Sequence, residues 1–278
     1  MTGWKITYET KEKIKLHQPI LIEGLPGIGN VGKIAVDFLI EELKAKKLCS
    51  FFSYKFPHSV FIGEDNLVEM PKLEMYYKNF SGEKGKNKKN TSGKGKRDLI
   101  LLTGDIQPID EESCYRFCEE VLNIAKEYRC TEVVTTGGIG LQNIPEKPKV
   151  YCTSNDAQLL KSYTKNSLLV EKEIYGIVGP IMGVSGILLS MGKRMDVKAV
   201  SLLAQTFGHP MYLGIKGAKE LLKVIDLKFN YGIDLKKMSK EIIEVEKQLM
   251  QKTKALTSEV SKSQAGAKAG TREVGYIG

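Results

Sequence analysis

The chain has 278 residues, of which 42% are hydrophobic and 27% charged, a composition typical of a folded globular protein and not of a disordered one. No apolar run approaches the ~20 residues that a membrane-spanning helix needs, and the first residues lack the apolar centre of a secretory signal, so we expect a cytoplasmic protein without membrane contact. Five cysteines without a C-x-x-C pair or a nearby pair of histidines predict neither a disulfide framework nor a metal site.

The first predicted unit is a strand, a glycine-rich turn and a helix. The short apolar run "QPILI" is followed by "EGLPGIGNVGK" at residues 23 to 33, and apolar residues then recur at helical spacing through "NVGKIAVDFLIEELKAKK". Gly27, Gly29 and Gly32 match the G-x-G-x-x-G fingerprint of dinucleotide-binding folds, while Gly27, Gly32 and Lys33 match part of a Walker loop.

Neither match is complete. A Walker loop needs Ser or Thr after its lysine to ligate magnesium, and Ile34 stands there instead. A dinucleotide fold needs an acidic residue about 20 residues further on, and the next strand candidate, "LCSFFSYKF", has none. Two interpretations remain open for this turn: its glycines let the helix pack closely on a sheet, or the backbone amides at the helix start bind an anion.

The following segments predict a sheet covered by helices. Aromatic and β-branched stretches between residues 49 and 80 favour an antiparallel meander. "DLILLTGD", a helix from about residue 110 to 128, and "TEVVTTGGIG" favour βαβ units, and "PKVYCTS", "LLVEKEIYGIVG" and "VKAVSLLAQT" add strands around the helix "GPIMGVSGILLSMGKR". We therefore predict an α/β fold with a largely parallel or mixed sheet and helices on both faces.

Charge and composition divide the chain further. Residues 83–97 hold six lysines, one arginine and one glutamate, and so supply +6 of the net charge of +9. Without an apolar anchor or an interleaved aromatic residue, this stretch favours a disordered basic insertion at 81–97 over a nucleic-acid site. We predict an α/β core over 1–235, a C-terminal helix over 236–262 with an incomplete heptad stripe, and a flexible tail over 263–278.

Glycine-bearing turns are expected to meet at one edge of the sheet. In a parallel sheet such turns gather at the carboxyl ends of the strands, where α/β proteins bind ligands, and we predict a pocket there. The candidate pocket or packing residues in these turns are Gly27, Gly29, Asn30, Gly32, Asp105, Gly138, Gly140, Gly183 and Ser185. Further polar candidates are Glu23, Gln107, Thr136, Gln142 and Asn143.

The predicted pocket lacks the residues of a hydrolytic site. None of the three histidines, His17, His58 and His209, falls in these turns, so no nucleophile is paired with a base. Asp105 is a candidate lone base, although an aspartate at this position more commonly caps a turn. We predict no catalytic residue.

The same turns carry a family resemblance. "LIEGLPGIGNVGKIAVDFLI", "LLTGDIQP", "TTGGIG" and "GPIMGVSGILL", in that order, resemble the archaeal branch of the proteasome assembly chaperone family over roughly residues 14–235. The family has also been grouped with the ATP-grasp superfamily, which the missing metal ligands here do not support. The resemblance implies a fold like that of nucleoside phosphorylases without their catalytic set. It also implies a non-enzymatic homo-oligomer, without a cofactor, that binds proteasome α subunits and assists ring assembly.

The resemblance also draws attention to the chain's last residues. Family members and other proteasome activators dock through a C-terminal hydrophobic-Tyr-X tripeptide, but Tyr276 stands third from last instead of second. The candidate partner-binding residues of the tail are Val274, Tyr276, Ile277 and Gly278. An apolar anchor on a polar tether, repeated in an oligomer, would bind through avidity. An ordinary frayed terminus is the other interpretation.

Two other functions remain as alternatives. The chain would be a nucleotide- or nucleoside-binding enzyme if the pocket held such a ligand beside Asp105. It would bind nucleic acid through residues 84–97 if its retention on DNA depended steeply on salt.

Overall fold

The computed structural model describes residues 3–62, 65–80, 96–164, 169–171 and 179–238. Its strands are β1 (Lys5–Tyr8), β2 (Ile20–Gly24), β3 (Lys46–Phe52), β4 (Phe61–Ile62), β5 (Val68–Glu69), β6 (Leu73–Lys78), β7 (Leu99–Gly104), β8 (Glu132–Leu141), β9 (Val150–Ser154), β10 (Val170–Glu171) and β11 (Ala199–Phe207). Its helices are α1 (Val31–Glu42), α2 (Glu111–Glu127), α3 (Ala157–Thr164), α4 (Val184–Arg194) and α5 (Ile215–Phe229), with a single 3-10 turn at Ile28–Asn30.

Nine of the described strands form one mixed sheet in the order β1-β3-β6-β7-β2-β8-β11-β9-β10. The centre, from β7 through β2 and β8 to β11, is parallel. On one side β7, β6, β3 and β1 pair antiparallel, and on the other β9 runs antiparallel to β11 while β10 runs parallel to β9. The predicted meander is therefore the antiparallel flank of a sheet whose parallel centre comes from the βαβ units.

Two hydrophobic cores lie on opposite faces of the sheet. Ile20 and Ile22 of β2 contribute to the core under α1, α3 and α5, while Leu21 contributes to the core under α2 and α4. Because successive side chains of a strand point to opposite faces, a central strand covered by helices on both faces is apolar throughout, as β2 is up to Glu23. The predicted α/β fold with helices on both faces is confirmed.

Local sequence explains how α2 begins. The side chain of Asp110 accepts a hydrogen bond from the Ser113 backbone amide at 2.9 Å, and Glu111 and Glu112 stand in the first turn. An N-cap with acidic residues beside it satisfies an unpaired amide and complements the helix dipole. The helix therefore starts within one residue of the predicted position.

One hairpin stands apart from the main sheet. β4 and β5 pair only with each other in the described chain.

Three predicted segments lie wholly or partly outside the described residues: the basic insertion up to position 95, most of "LLVEKEIYGIVG", and everything after residue 238. The boundaries proposed for the C-terminal helix and the tail remain predictions.

Candidate functional sites

A cavity of about 560 Å³ opens at the carboxyl edge of the parallel centre. Its walls are the turn after β2, the start of α1, the end of β8 and the segment from Gly179 to Ser185, with Gln107, Thr153 and Leu203 completing it. The sequence-predicted residues that line the cavity are Gly27, Gly32, Gln107, Thr136, Gly138, Gly140, Gly183 and Ser185. The structure thus brings together turns that are more than 150 residues apart in sequence, as expected for strands that end at one edge.

Gly29, Asn30 and Asp105 do not line this cavity. Gly29 adopts φ +62°, and a Cβ there would lie 2.7 Å from the Thr206 hydroxyl, so this position needs glycine. Asn30 precedes α1 in the left-handed region at φ 50°. Both residues shape the entry into the helix.

Asp105 and Lys33 form a cluster beside the cavity. Lys33 Nζ lies 2.9 Å from Asp37 Oδ2 and 3.8 Å from Asp105 Oδ1. The Lys72 backbone amide donates to Asp105 Oδ2 at 3.0 Å, and the Asp105 amide donates to the Lys72 carbonyl at 2.8 Å. Asp105 therefore joins the start of β6 to the end of β7, and the lysine of the incomplete Walker match is paired with carboxylates.

Close packing explains two cavity glycines. A Cβ on Gly32 would collide with the backbone carbonyl of Thr136, and one on Gly138 would collide with the carbonyl of Ile28. The turn and α1 thus lie against β8 at distances that only glycine permits. Gly27, in contrast, has open space where its Cβ would stand, with only the Leu25 carbonyl at 4.0 Å.

A buried carboxyl group lies behind one wall. Glu23 is fully buried in β2, the Ser185 hydroxyl donates to its Oε2 at 2.9 Å, and the Leu25 amide donates to its Oε1 at 3.2 Å. Burial raises the pKa of Glu23 to about 7, against the opposing effect of these hydrogen bonds. A glutamate in an otherwise apolar strand is the sequence signal for this group, but its serine partner is 162 residues away.

Glu23 belongs to a polar row across the sheet. By register it neighbours Thr135, Thr135 neighbours Ser201, and Ser201 neighbours Thr153. Thr135 and Ser201 are fully buried, and their hydroxyls have no hydrogen-bond partner within the part of the chain that the structure describes. Leu203 stands two residues after Ser201 on the same face and lines the cavity. The row therefore lies directly beneath the cavity.

Gln107 connects the two sides of the cavity. Its Nε2 donates to the Pro26 carbonyl, and its Oε1 accepts from the Val184 amide at 3.0 Å. Because both ends of the amide are engaged, Gln107 fixes the turn after β2 relative to the start of α4. Gln142 and Asn143 follow β8 and do not line the cavity.

The described lining contains no histidine, cysteine, lysine, arginine, aspartate or glutamate. Across the described ranges, no group of three or more His, Cys, Asp or Glu residues is arranged to hold a metal ion. The thiol of Cys118 is buried and lies 3.8 Å from the Val184 carbonyl, outside the cavity lining, and burial raises the pKa of that thiol well above its ordinary value. The lining therefore presents hydroxyl and backbone groups and apolar side chains.

A second candidate site is the β4–β5 hairpin surface, formed by Val60, Phe61, Ile62, Leu67, Val68 and Met70. These apolar side chains are between 46% and 74% exposed. They leave on the order of 600 Å² of apolar area uncovered, at the upper end of what monomeric proteins expose. Isolated two-stranded hairpins are marginally stable in water, so this surface has the properties of an interface.

The tail candidates Val274, Tyr276, Ile277 and Gly278 lie outside the described residues. Over the described residues, no helix combines the length and the apolar character needed to cross a bilayer.

Comparison with known proteins places these features in context. The model of the PAC2 family matches residues 21–252. The crystal structure of Pyrococcus furiosus PbaB, an archaeal proteasome activator, is similar with a TM-score of 0.76 and 31% identity, over 90% of this chain and 99% of that chain. The crystal structure of Pyrococcus furiosus PbaA, an archaeal homolog of proteasome-assembly chaperone, shares the fold with a TM-score of 0.69 and 22% identity, over 95% of this chain and 97% of that chain. The uncharacterized protein MJ1210 of Methanocaldococcus jannaschii is 27% identical over 98% of this chain and 97% of its own length.

Proposed function

Because the chain belongs to the PAC2 family, we propose that it is a non-enzymatic, homo-oligomeric chaperone that binds α subunits of the proteasome core particle, or the assembled particle, and assists its assembly. The observation that carries this proposal is the similarity to PbaB, an archaeal proteasome activator, at 31% identity over 90% of the chain. That similarity extends through the whole α/β core and is not confined to one motif.

The composition of the cavity supports binding over catalysis. Acyl or phosphoryl transfer requires a nucleophile beside a base, or cationic groups around a phosphate. The described lining offers neither, and Lys33 and Asp105 are paired with other residues outside it. Gly32 and Gly138 let the turn and α1 pack closely on β8, and this packing accounts for the two glycines without a bound nucleotide.

The β4–β5 hairpin surface supports homo-oligomerisation. Two copies that each cover about 600 Å² would bury about 1,200 Å² in total, which reaches the lower limit of specific interfaces. The six apolar side chains of this surface would pack against the same six side chains of a second copy, as a two-fold interface requires, with the Glu69–Lys72 ion pair beside them. Ile62→Asp would place a charge at its most exposed apolar side chain, 74% accessible, and is expected to shift the chain to smaller species in sedimentation velocity.

The control for this experiment is Leu227→Asp, which places the same charge on another exposed apolar side chain, 60% accessible, on α5. It is expected to leave the oligomer unchanged. Equal sedimentation of the wild type and Ile62→Asp would contradict the assignment of the interface to the hairpin.

The tail is proposed as a docking element for the core particle. Val274, Tyr276 and Ile277 place apolar groups at the end of a mostly polar segment, and several tails on one oligomer would raise the apparent affinity by effective concentration. The test is co-migration with archaeal core particles on native gels, comparing the full chain, a chain ending at Lys262, and Tyr276→Ala. Weaker co-migration of both variants would support docking by the tail, whereas unchanged co-migration would move the contact to the folded core.

A further inference from the structure

The cavity at the carboxyl edge has the size of a small-molecule site and a distinct polarity. Its volume of about 560 Å³ lies within the roughly 300–1,000 Å³ typical of ligand pockets. No charged side chain stands among its described lining residues, so a buried phosphate or ammonium group would lose its hydration without an opposite charge to offset the loss. The buried Glu23 behind the wall would further oppose an anion. A ligand that fits this cavity is uncharged.

One wall of the cavity presents a hydrogen-bond acceptor. When Glu23 is ionised, the Ser185 hydroxyl donates to its carboxylate, with Oγ 2.9 Å from Oε2, which leaves the lone pairs of Ser185 Oγ for a group inside the cavity. Glu23 is fully buried and so holds this hydroxyl in a fixed orientation. A ligand therefore needs an N–H or O–H donor on the side that faces Ser185.

Other parts of the lining offer donors. α1 and α4 both begin at the cavity, where Val31, Gly32 and Gly183 line it, and the first amides of a helix attract acceptor atoms. In α4 the Val184 amide already donates to Gln107, so a ligand would meet the amides that follow it. β2 pairs with β8 only as far as Thr135, whereas β8 continues to Leu141. In the described chain, the last residues of β8, which line the cavity, therefore have no neighbouring strand on the side of β2. These backbone groups complement a ligand that carries acceptors as well as a donor.

The remaining lining favours a flat apolar body. Gly137 leaves the backbone of β8 bare beside Leu203, and Gly138 and Gly140 let Ile28 lie close to the strand. Ile28, Met182 and Leu203 supply apolar surface. A planar ring packs on such a surface with little loss of contact. Donors and acceptors around a planar apolar ring are the defining features of an uncharged heteroaromatic molecule.

We propose that this cavity binds an uncharged heteroaromatic molecule of nucleobase or nucleoside size, which donates a hydrogen bond to Ser185 and accepts hydrogen bonds near the starts of α1 and α4. This site goes beyond the proposed chaperone function and does not depend on proteasome binding. A bound ligand would stabilise the contact between the turn after β2 and α4 that Gln107 already bridges.

The test is ligand-observed NMR, followed by calorimetric titration, of the full chain with adenine, uracil, adenosine, uridine and nicotinamide, each nucleoside being compared with its 5′-monophosphate. At least one uncharged probe is expected to bind with a dissociation constant below about 1 mM. Its phosphorylated counterpart is expected to bind at least tenfold more weakly. If no uncharged probe binds, or if the monophosphate binds equally well, the proposal is wrong.

Three variants link any binding to the cavity. Ser185→Ala is expected to weaken binding about tenfold through the loss of one hydrogen bond, while Ser190→Ala on the exposed side of the same helix should leave it unchanged. Gly179 lines the cavity and has no described atom within 4 Å of where a Cβ would stand, so Gly179→Leu places a bulky side chain at the cavity wall with room for its Cβ and is expected to prevent binding. Binding that persists in Gly179→Leu overturns the assignment, even if Ser185→Ala fails to fold.

Discussion

Glu23 gives the fold an unusual dependence on pH. Burial raises the pKa of this carboxyl group from its ordinary 4.5 to about 7, so the folded chain retains a proton that the unfolded chain has already released. The contribution of Glu23 to the free energy of unfolding is therefore largest below pH 4.5 and is lost as the pH rises to about 7. Glu23→Gln removes the titration and preserves the size of the side chain.

The magnitude follows from the pKa difference. At about 1.4 kcal/mol per pKa unit, a shift from 4.5 to 7 corresponds to about 3 kcal/mol. Most of this difference falls between pH 5 and pH 8. The groups packed around Glu23 are Ser185 from α4, Thr135 from β8, and the thiols Cys114 and Cys118 from α2, none of which carries a charge that would cancel this effect.

The assay is urea unfolding of the wild type and Glu23→Gln at pH 5 and pH 8. The stability of the variant relative to the wild type is expected to rise by roughly 2 to 3 kcal/mol from the lower to the higher pH. Glu119→Gln, at an exposed position on α2, controls for the loss of one negative charge. If the stability difference between Glu23→Gln and the wild type were the same at pH 5 and pH 8, the conclusion that Glu23 is buried with a raised pKa would be refuted.

Further predictions concern packing and a second buried carboxylate. Gly32→Ala forces a methyl group against the Thr136 carbonyl and should destabilise the fold by about 3 kcal/mol in urea unfolding. Gly27→Ala, which meets open space in the same turn, should change stability by less than about 1 kcal/mol, and equal losses would contradict the packing role. Tyr163→Phe removes the 2.8 Å hydrogen bond to the buried Glu132 and should cost about 2 kcal/mol. A thermal midpoint equal to that of the wild type would contradict this estimate.

The architecture was predictable because it depends on local patterns. A β2 strand that is apolar up to Glu23, a capped α2 and glycine turns after strands are visible in the sequence, and they suffice for an α/β sheet covered on both faces. The family resemblance of these motifs is confirmed by the family model, which matches residues 21–252. Strand order is not local, so the antiparallel position of β9 beside β11 and the separation of the β4–β5 hairpin required the structure.

The site was predictable only in outline. Chain order placed the glycine turns at one edge, but it did not show that Asp105 pairs with the backbone of Lys72 or that Lys33 Nζ lies 3.8 Å from Asp105 Oδ1. These pairings join segments through side-chain geometry that sequence spacing does not encode. The polar row beneath the cavity depends on the register of β2, β8 and β11, which is likewise a tertiary property.

The central claim is that this chain assists proteasome assembly, and reconstitution tests it most directly. Separated archaeal α and β proteasome subunits would be mixed with and without the full chain, and the yield of core particles followed over time on native gels and by peptide hydrolysis. If the proposed function holds, the chain co-migrates with α-subunit intermediates and increases the rate of core-particle formation. An unchanged rate, with no co-migration with α subunits or with the finished particle, would contradict it.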